Sequence, residues 1–206
     1  MTKPFPNQTI STIHYTNPLA INHVSNHIIT CLPKTAKQII VLCIGTDRST
    51  GDSLGPLTGT LLSQKKLKYL NVFGTLVDPV HALNLEHTIK EIYQIYENPF
   101  IIAIDASLGR AKSVGKLHSG LGSITPGAAF NKGLPDIGDA FITGIVNISG
   151  LMEYSVLQST RLSLVYEMAT KLTTILYHVD RSMNQFSFQK ETQLTPNIKI
   201  NRRYTL

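Results

Sequence analysis

An uninterrupted apolar run from Ile39 to Ile44 constrains this 206-residue chain more than any other feature. The run does not alternate between apolar and polar side chains, which is typical of a strand covered on both faces in a parallel sheet. Gly45 ends the run, and a polar loop leads to Asp52 and Ser53, either of which suits the N-cap of a helix through residues 54–62. This order predicts an α/β fold with a ligand site at the carboxyl ends of its strands.

Two more strands and two more helices extend the pattern. The spacing of apolar residues predicts a helix from Asn17 to about Leu32, and Asn84 begins a predicted helix that reaches about Glu97. The apolar segments 70–77 and 100–104 are predicted strands, and Asp105 follows the second of them. The resulting β-α-β-α-β order, with right-handed crossovers, predicts a sheet of parallel neighbours.

The rest of the chain is less regular until a further apolar strand and a long helix. Residues 106–139 are rich in Gly, Ser, Pro and Lys, with weak strand candidates at 114–117 and 123–125. A strand over 141–148 and a helix over 150–178 follow.

The ends of the chain differ from this core. We expect residues 1–16 to form a loose arm, residues 17–180 to form a single α/β domain, and residues 181–206 to form a basic polar tail. The net charge of +6 belongs mainly to the ends, because residues 1–38 carry three lysines and no acids. Without interleaved aromatic residues, the basic ends do not favour direct nucleic-acid binding.

Composition narrows the class of protein further. The 42% hydrophobic and 16% charged fractions are typical of a globular protein. No apolar run reaches the roughly 18 residues of a membrane span, and the polar N-terminus lacks a signal-peptide core, so we expect a cytoplasmic protein without a membrane partner. Cys31 and Cys43 lack metal-site spacing and are predicted to be buried thiols. We expect neither a metal nor a cofactor.

Two acids are predicted to lie at the same edge of the sheet. Asp52 follows the loop after the first strand, and Asp105 terminates the third. If these strands are neighbours, both carboxyls converge above the sheet. The ionised carboxyl then activates water, and the protonated carboxyl polarises a carbonyl. This combination is suited to peptide hydrolysis. The helix dipole favours ionisation of Asp52. Alternatively, neither acid is catalytic: Asp52 is a helix N-cap, and Asp105 is a turn residue at the end of a strand.

Other residues near this edge are candidates for substrate binding or for different chemistry. The segment Gly51-Asp52-Ser53-Leu54 also spells the signature of a serine esterase family, with Ser53 as the nucleophile, although the late Asp-x-x-His pair of that family is missing. His81 lies on a loop that leaves a strand end. Thr125, Pro126 and Gly127 form a turn that could bend backbone toward the site.

Taken in order, four motifs resemble those of a known group, the YyaC-type sporulation proteins, which are relatives of the spore germination protease. The resemblance covers about residues 38–178. The motifs are Gly-Thr-Asp-Arg-Ser-Thr-Gly-Asp-Ser-Leu-Gly-Pro at 45–56, Pro-Val-His-Ala-Leu-Asn-Leu at 79–85, Ile-Ile-Ala-Ile-Asp-Ala-Ser-Leu-Gly at 101–109 and Ile-Thr-Pro-Gly at 124–127.

The resemblance implies a three-layer α/β/α sandwich with a mostly parallel, phosphorylase/hydrolase-like sheet, as in the hydrogenase maturation endopeptidases. It implies an aspartic-type endopeptidase in the forespore or spore core, with catalytic aspartates at Asp52 and Asp105. The implied substrate is a protein of sporulation or germination, such as a small acid-soluble spore protein. A homo-oligomer is compatible with the sequence.

The chain departs from its relatives at one point that concerns chemistry. Hydrogenase endopeptidases hold a metal of their substrate with two acids and a His near the start of the last helix, whereas no His lies between His118 and His178 here. Only His81 could substitute. The alternative function is a catalytically silent relative that uses the same cleft to bind a protein segment.

Overall fold

One mixed sheet forms the centre of the molecule. The computed structural model describes residues 10–33, 38–126 and 136–192, and in them six strands pair in the order β1-β5-β6-β4-β2-β3. The strands are β1 (Ser11–His14), β2 (Ile39–Cys43), β3 (Leu70–Phe73), β4 (Phe100–Gly109), β5 (Lys116–Leu121) and β6 (Ala140–Ile148).

Four neighbouring strands of the sheet, β6, β4, β2 and β3, are parallel. β2 pairs in parallel with both β3 and β4, and β4 pairs in parallel with β6, whereas β5 and β1 add antiparallel strands at one side. Because β2, β3, β4 and β6 run in one direction, their carboxyl ends lie at one edge of the sheet. The prediction of a mostly parallel sheet is confirmed.

Helices cover both faces of this sheet. They are α1 (Ala20–Cys31), α2 (Leu54–Ser63), α3 (Leu85–Ile95), α4 (Glu153–Gln158) and α5 (Leu162–Thr192). Alternate residues of β2 enter two separate cores: Val41 joins the cluster under α1, α2 and α5, and Leu42 joins the cluster under α3. The apolar run at 39–44 does not alternate because both faces are covered. The three-layer α/β/α fold is therefore confirmed.

Two predicted strand ends were wrong. β4 does not stop before Asp105 but continues to Gly109, because β6 supplies pairing partners beyond it, beginning with Asp105 opposite Thr143. Asp105 therefore lies inside a strand. In contrast, β3 ends at Phe73 rather than at Val77, since Gly74 turns the chain with a φ of 86°.

The predicted helix over 150–178 is two helices. The break between α4 and α5 follows from side-chain competition for a helix carbonyl: the Thr160 hydroxyl and the Asn147 amide both donate to the carbonyl of Val156. Helix α5 then continues to Thr192, into the segment predicted as a polar tail, because residues 181–192 contain neither Gly nor Pro.

The N-terminal segment also differs from the prediction. Residues 11–14 form β1 rather than part of a loose arm, pairing with β5 while Ile13 packs against the larger core. Likewise, β5 covers Lys116–Leu121 rather than 114–117, because Gly115 turns the chain with a φ of 87°. In the candidate 123–125, Ile124 makes a single bridge to Ile137.

A buried carboxylate joins the long helix to the opposite, amino-terminal edge of the sheet. Asp180 of α5 has no exposed surface, and its Oδ1 accepts the backbone N–H groups of Tyr69 at 2.8 Å and Leu70 at 3.0 Å. The N–H of Lys68 donates to both carboxylate oxygens at 3.1 Å. Asp180 therefore holds the connector that enters β3, a role that the sequence did not predict.

Within the described part of the chain, no helix has the length and apolar character needed to cross a membrane.

Candidate active site

The crevice between the carboxyl ends of β2 and β4 is the natural place for a ligand in this sheet. The chain moves from β2 outward to β3 on one side and then returns to β4 on the other. Such a reversal leaves a gap between the loops that follow the two central strands, and open α/β sheets bind their ligands there. The loop 45–53 follows β2 into this gap.

A hydrogen-bonded turn positions the loop. The N–H of Gly45 donates to the carbonyl of Val80 at 2.8 Å, and the N–H of Thr46 donates to the carbonyl of Asp52 at 3.3 Å. Gly45 has a φ of 141°, and a Cβ at this position would lie only 1.9 Å from the Asp52 carbonyl oxygen. Glycine is therefore required for the loop to return its far end, which carries Asp52, to the end of β2.

Asp52 lies in a short 3-10 turn, Gly51–Ser53, that leads directly into α2. Neither Asp52 nor Ser53 makes the capping hydrogen bond that was predicted for one of them, because the 3-10 turn already continues into the helix. The carboxyl is partly buried, and burial raises its pKa to about 6. A carboxylate with this pKa is mostly ionised at neutral pH and still basic enough to accept a proton from water.

Asp105 lies beside this turn, in the middle of β4. The N–H of Ile44 donates to the carbonyl of Ile104 at 2.8 Å, so Asp105 follows the last backbone contact between the two central strands. Burial and then the negative charge of Asp52 raise the pKa of Asp105 well above its usual range, while the N–H of Ala106 donates to Oδ1 at 2.9 Å. The fold thus brings the two acids together, and their environments favour one ionised and one protonated carboxyl.

Ser53 is committed to the local turn. The side chain is 5% exposed, and its hydroxyl donates to the carbonyl of Thr50 at 2.6 Å. A serine nucleophile has to present its oxygen to the substrate and to a base. Either that role or a substrate contact through this hydroxyl would have to replace the bond to Thr50.

His81 lies next to the acid-bearing loop. It follows Val80, which bridges Ile44 and accepts the N–H of Gly45. The His81 backbone N–H donates to Asn84 Oδ1 at 2.8 Å, and its Nδ1 accepts the N–H of Leu83 at 3.3 Å. These bonds leave Nε2 as the proton-bearing nitrogen of the neutral ring, available for a substrate acceptor.

The turn predicted at 125–127 is described only in part. Thr125 follows the bridge between Ile124 and Ile137, and its hydroxyl donates to Asp136, which joins the two arms of this segment. Gly127 lies outside the described residues. Substrate binding by Thr125, Pro126 and Gly127 therefore stays a prediction.

Other histidines take part in contacts away from the crevice. His23 and His27 of α1 bond to Ser11 and Ser119, and His178 of α5 bonds to Ser25. Among the residues that the structure describes, no cluster of three or more His, Cys, Asp or Glu is arranged as a metal site.

Sequence reasoning placed α4 within one long helix and missed its contact with the Asp52 turn. Leu157 and Thr160 lie against Gly51, and Asn147 at the end of β6 donates to Thr160 Oγ1 at 3.1 Å. The available signal was Asn147 itself, a polar residue near the carboxyl end of an otherwise apolar parallel strand. Ser49, in the loop before Asp52, is a second residue that sequence reasoning missed. It is 4% exposed, and its hydroxyl has no hydrogen-bond partner in the described part of the chain.

Comparison with solved structures identifies the class of fold. The structure resembles the crystal structure of a [NiFe] hydrogenase maturation protease, HycI from Thermococcus kodakarensis KOD1, with a TM-score of 0.50 and 16% sequence identity. The match covers 71% of this chain and 94% of the HycI chain. The molecule therefore has the α/β fold of a hydrogenase maturation protease, which confirms the fold that the motifs implied.

Sequence comparison then gives the family. Residues 12–175 match the family model described as "Protein of unknown function (DUF1256)", and the chain belongs to that family. It is 51% identical over 171 residues to the protein titled "Uncharacterized protein YyaC" of Bacillus subtilis (strain 168), covering 82% of this chain and 83% of the relative. The resemblance to the YyaC-type proteins is confirmed.

Proposed function

We propose that this protein is an aspartic-type endopeptidase whose catalytic pair is Asp52 and Asp105. The observation that carries the proposal is the placement of two carboxyls with raised pKa values in one crevice, where the charge of one acts on the other. Structural acids are normally paired with cations or backbone donors, and raised pKa values in a cleft are typical of catalytic groups.

The surroundings assign a different role to each acid. The pKa of Asp52 is raised less than that of Asp105, and Asp52 lies at the N-terminal end of a helix. We therefore assign Asp52 as the ionised general base. Asp105 has the more strongly raised pKa and faces the charge of Asp52, so it retains its proton and acts as the acid.

Hydrolysis then needs one water molecule and no covalent intermediate. Asp52 removes a proton from the water as its oxygen bonds to the peptide carbonyl carbon, and Asp105 donates its proton to the carbonyl oxygen. As the C–N bond of the tetrahedral diol breaks, Asp52 passes its proton to the departing nitrogen, and one of the two diol hydroxyls returns a proton to Asp105 and becomes the carbonyl oxygen of the new carboxylic acid. Both side chains end in their starting states.

Exposed apolar side chains support a polypeptide as the substrate. Val77 and Leu83, on the segment after β3, are 94% and 84% exposed, and Leu151 and Met152, after β6, are fully and 68% exposed. These loops leave the same edge of the sheet, one on each side of the crevice. Large apolar residues at such a rim suit a protein segment better than a small polar molecule.

The biological setting follows from the resemblance to the sporulation proteins. On that basis the substrate is a protein made or stored during sporulation, with the small acid-soluble spore proteins as the first to test, and the enzyme acts in the forespore or spore core. His81, through Nε2, and the turn at 125–127 are further proposed contacts for the substrate backbone.

The test is cleavage of a purified small acid-soluble spore protein, followed by mass spectrometry. Asp52→Asn and Asp105→Asn should each lower the rate at least about 10³-fold, because each removes one half of the proton transfer. Asp47→Asn is the matched control, since it makes the same change at an exposed acid of the same loop, and it should cleave like the wild type. Undiminished cleavage by either crevice variant would reject the pair as catalytic.

A second candidate function is peptide binding without cleavage. The apolar rim suits it equally well, because binding needs exposed apolar surface but not an acid pair. This function predicts binding of the spore protein that persists in both Asp→Asn variants, with no product after long incubation.

A further inference from the structure

Helix α4 is too short to be stable by itself, and its position gives it a role. It has six residues, Glu153–Gln158, and connects the end of β6 to α5. Leu157 is 3% exposed and belongs to the larger core, whereas Tyr154 on the same helix is 53% exposed. A single turn and a half of helix depends on tertiary contacts for its stability. The contacts that hold α4 therefore show what it supports.

One of those contacts is with the residue before Asp52. A Cβ added to Gly51 would lie 2.7 Å from Leu157 Cδ2, 2.9 Å from Thr160 Oγ1 and 3.1 Å from the carbonyl oxygen of Leu157. These distances are shorter than ordinary van der Waals contacts, so the bare backbone of Gly51 rests directly on the end of α4. A movement of α4 cannot leave the turn that carries Asp52 unchanged.

The other contacts link α4 to the strand next to Asp105. Asn147 of β6 donates through Nδ2 to the carbonyl of Val156 and to Thr160 Oγ1, both at 3.1 Å. Strand β6 pairs with β4, with Asn147 opposite Leu108 and Thr143 opposite Asp105. A continuous path of backbone pairing, side-chain hydrogen bonds and packing therefore runs from the strand of Asp105, through α4, to the turn of Asp52.

We propose that α4 sets the position of Asp52 relative to Asp105, with Leu157 and Thr160 as positioning residues and Asn147 as the anchor of the helix to β6. This inference rests on the proposed function of the acid pair. Neither Leu157 nor Thr160 is assigned a contact with substrate. Their contribution is geometric, because a proton transfer between two acids and one water depends steeply on the placement of all three.

Gly51→Ala is the variant that addresses this contact. The φ of Gly51 is not in the left-handed region, so alanine is compatible with the backbone, and the new methyl group pushes directly on Leu157 and Thr160. Gly150→Ala is the matched control: it is the same change just before α4, where an added Cβ meets nothing within 4 Å. For Gly51→Ala we expect kcat to fall about 10- to 100-fold with KM within about twofold. The control should keep both values.

A second measurement does not depend on catalysis. The titration midpoint of the Asp52 carboxyl, followed by carbon NMR, should move in Gly51→Ala and stay in place in Gly150→Ala. Leu157→Ala, which removes the packing from the other side, should move it as well, and the volume-conserving Leu157→Met should restore the wild-type midpoint. These two variants also answer the question if Gly51→Ala does not fold.

The outcomes separate the two proposals. A wild-type protein that cleaves nothing, together with a shifted Asp52 midpoint in Gly51→Ala or Leu157→Ala, rejects the endopeptidase and retains the positioning role of α4. Normal cleavage by folded Gly51→Ala with an unmoved midpoint rejects the positioning role and retains the endopeptidase. An unmoved midpoint in folded Leu157→Ala rejects the positioning role even without the Gly51 variant.

Discussion

Two aspartates at opposite edges of the sheet, Asp180 and the partly buried Asp105, have very different surroundings. Asp180 is fully buried and accepts the backbone N–H groups of Lys68, Tyr69 and Leu70. Asp105 accepts the N–H of Ala106 and faces another acid, Asp52. An aspartate side chain thus meets several N–H donors at one edge, and one N–H donor and a like charge at the other.

The difference separates a structural acid from the proposed catalytic one. Several N–H donors fix the orientation of a carboxylate and occupy its acceptor positions, which leaves few of them for a substrate. A carboxyl with few donors and an acidic neighbour destabilises the fold when it ionises, and this cost is typical of functional sites. The hydrogen-bond partners and the neighbouring charge therefore distinguish the two aspartates.

The largest expected effect is on the structural side. Asp180→Ala removes the carboxylate acceptor of three backbone N–H groups, including the buried N–H of Leu70, so we expect it to lower the free energy of unfolding by about 3–5 kcal/mol. Urea denaturation measures the loss. Asp180→Asn, which keeps one acceptor oxygen, should lose less than the alanine variant, and equal losses would show that the hydrogen bonds are not the cause.

The next effect is a dependence of stability on pH. Because the pKa of Asp52 is about 6 in the folded protein and near 3.8 in an unfolded chain, the folded state holds the proton more tightly. The contribution is fully present below about pH 4 and is lost as pH rises through about 6, by roughly 1–3 kcal/mol. Asp105, whose pKa is also raised, extends the loss to higher pH.

Urea unfolding of the wild type and of the double variant Asp52→Asn/Asp105→Asn from pH 4 to 8 tests this pH dependence. The difference between their unfolding free energies isolates the contribution of Asp52 and Asp105 from that of the other acids. A difference that stays constant over this range would contradict the raised pKa values.

A smaller effect of opposite sign is expected for Asp105 at neutral pH. Asp105→Asn removes a partly buried carboxyl that has an acidic neighbour and should raise the free energy of unfolding by about 1 kcal/mol, even though we expect it to slow the proposed cleavage. Thermal and urea unfolding at pH 7 provide the measurement. A loss of stability as large as that of Asp180→Ala would place Asp105 in the structural class.

The smallest effect concerns Ser53. Because its buried hydroxyl is bonded to Thr50, Ser53→Ala should change peptide cleavage by less than about twofold and leave any hydrolysis of p-nitrophenyl acetate at its wild-type rate. Loss of ester hydrolysis in Ser53→Ala alone would instead revive the serine esterase. Thr50→Ala serves as the control, since it leaves the carbonyl acceptor of that bond in place.

Much of the fold was predictable because its signals are local. The apolar run at 39–44 predicts a strand that is covered on both faces, and the alternate entry of Val41 and Leu42 into two cores is the direct result. The helix starting near Asn84 and the strand over 141–148 also follow from spacing and turn residues. In each case the segment and its neighbours along the chain carry the information.

The errors arose where distant residues decide the outcome. Asp105 lies inside β4 because β6, more than 30 residues later, continues the pairing. The helix over 150–178 breaks because Asn147 and Thr160 compete for the carbonyl of Val156. The N-terminal strand forms because β5 offers it an edge. The periodicity of a single segment gives no information about these distant partners.

The sequence by itself determined the alternation of strands and helices through the central part of the chain and the double-sided burial of β2, and it singled out Asp52 and Asp105 as two acids near the carboxyl-terminal edge of the predicted sheet. Only the tertiary structure decided that Asp52 and Asp105 share one crevice, that α4 lies against the turn of Asp52, and that Asp180 is a structural acid. The physical reason is that a carboxyl acquires its proton affinity from the donors and charges around it, and folding brings those together from distant parts of the chain.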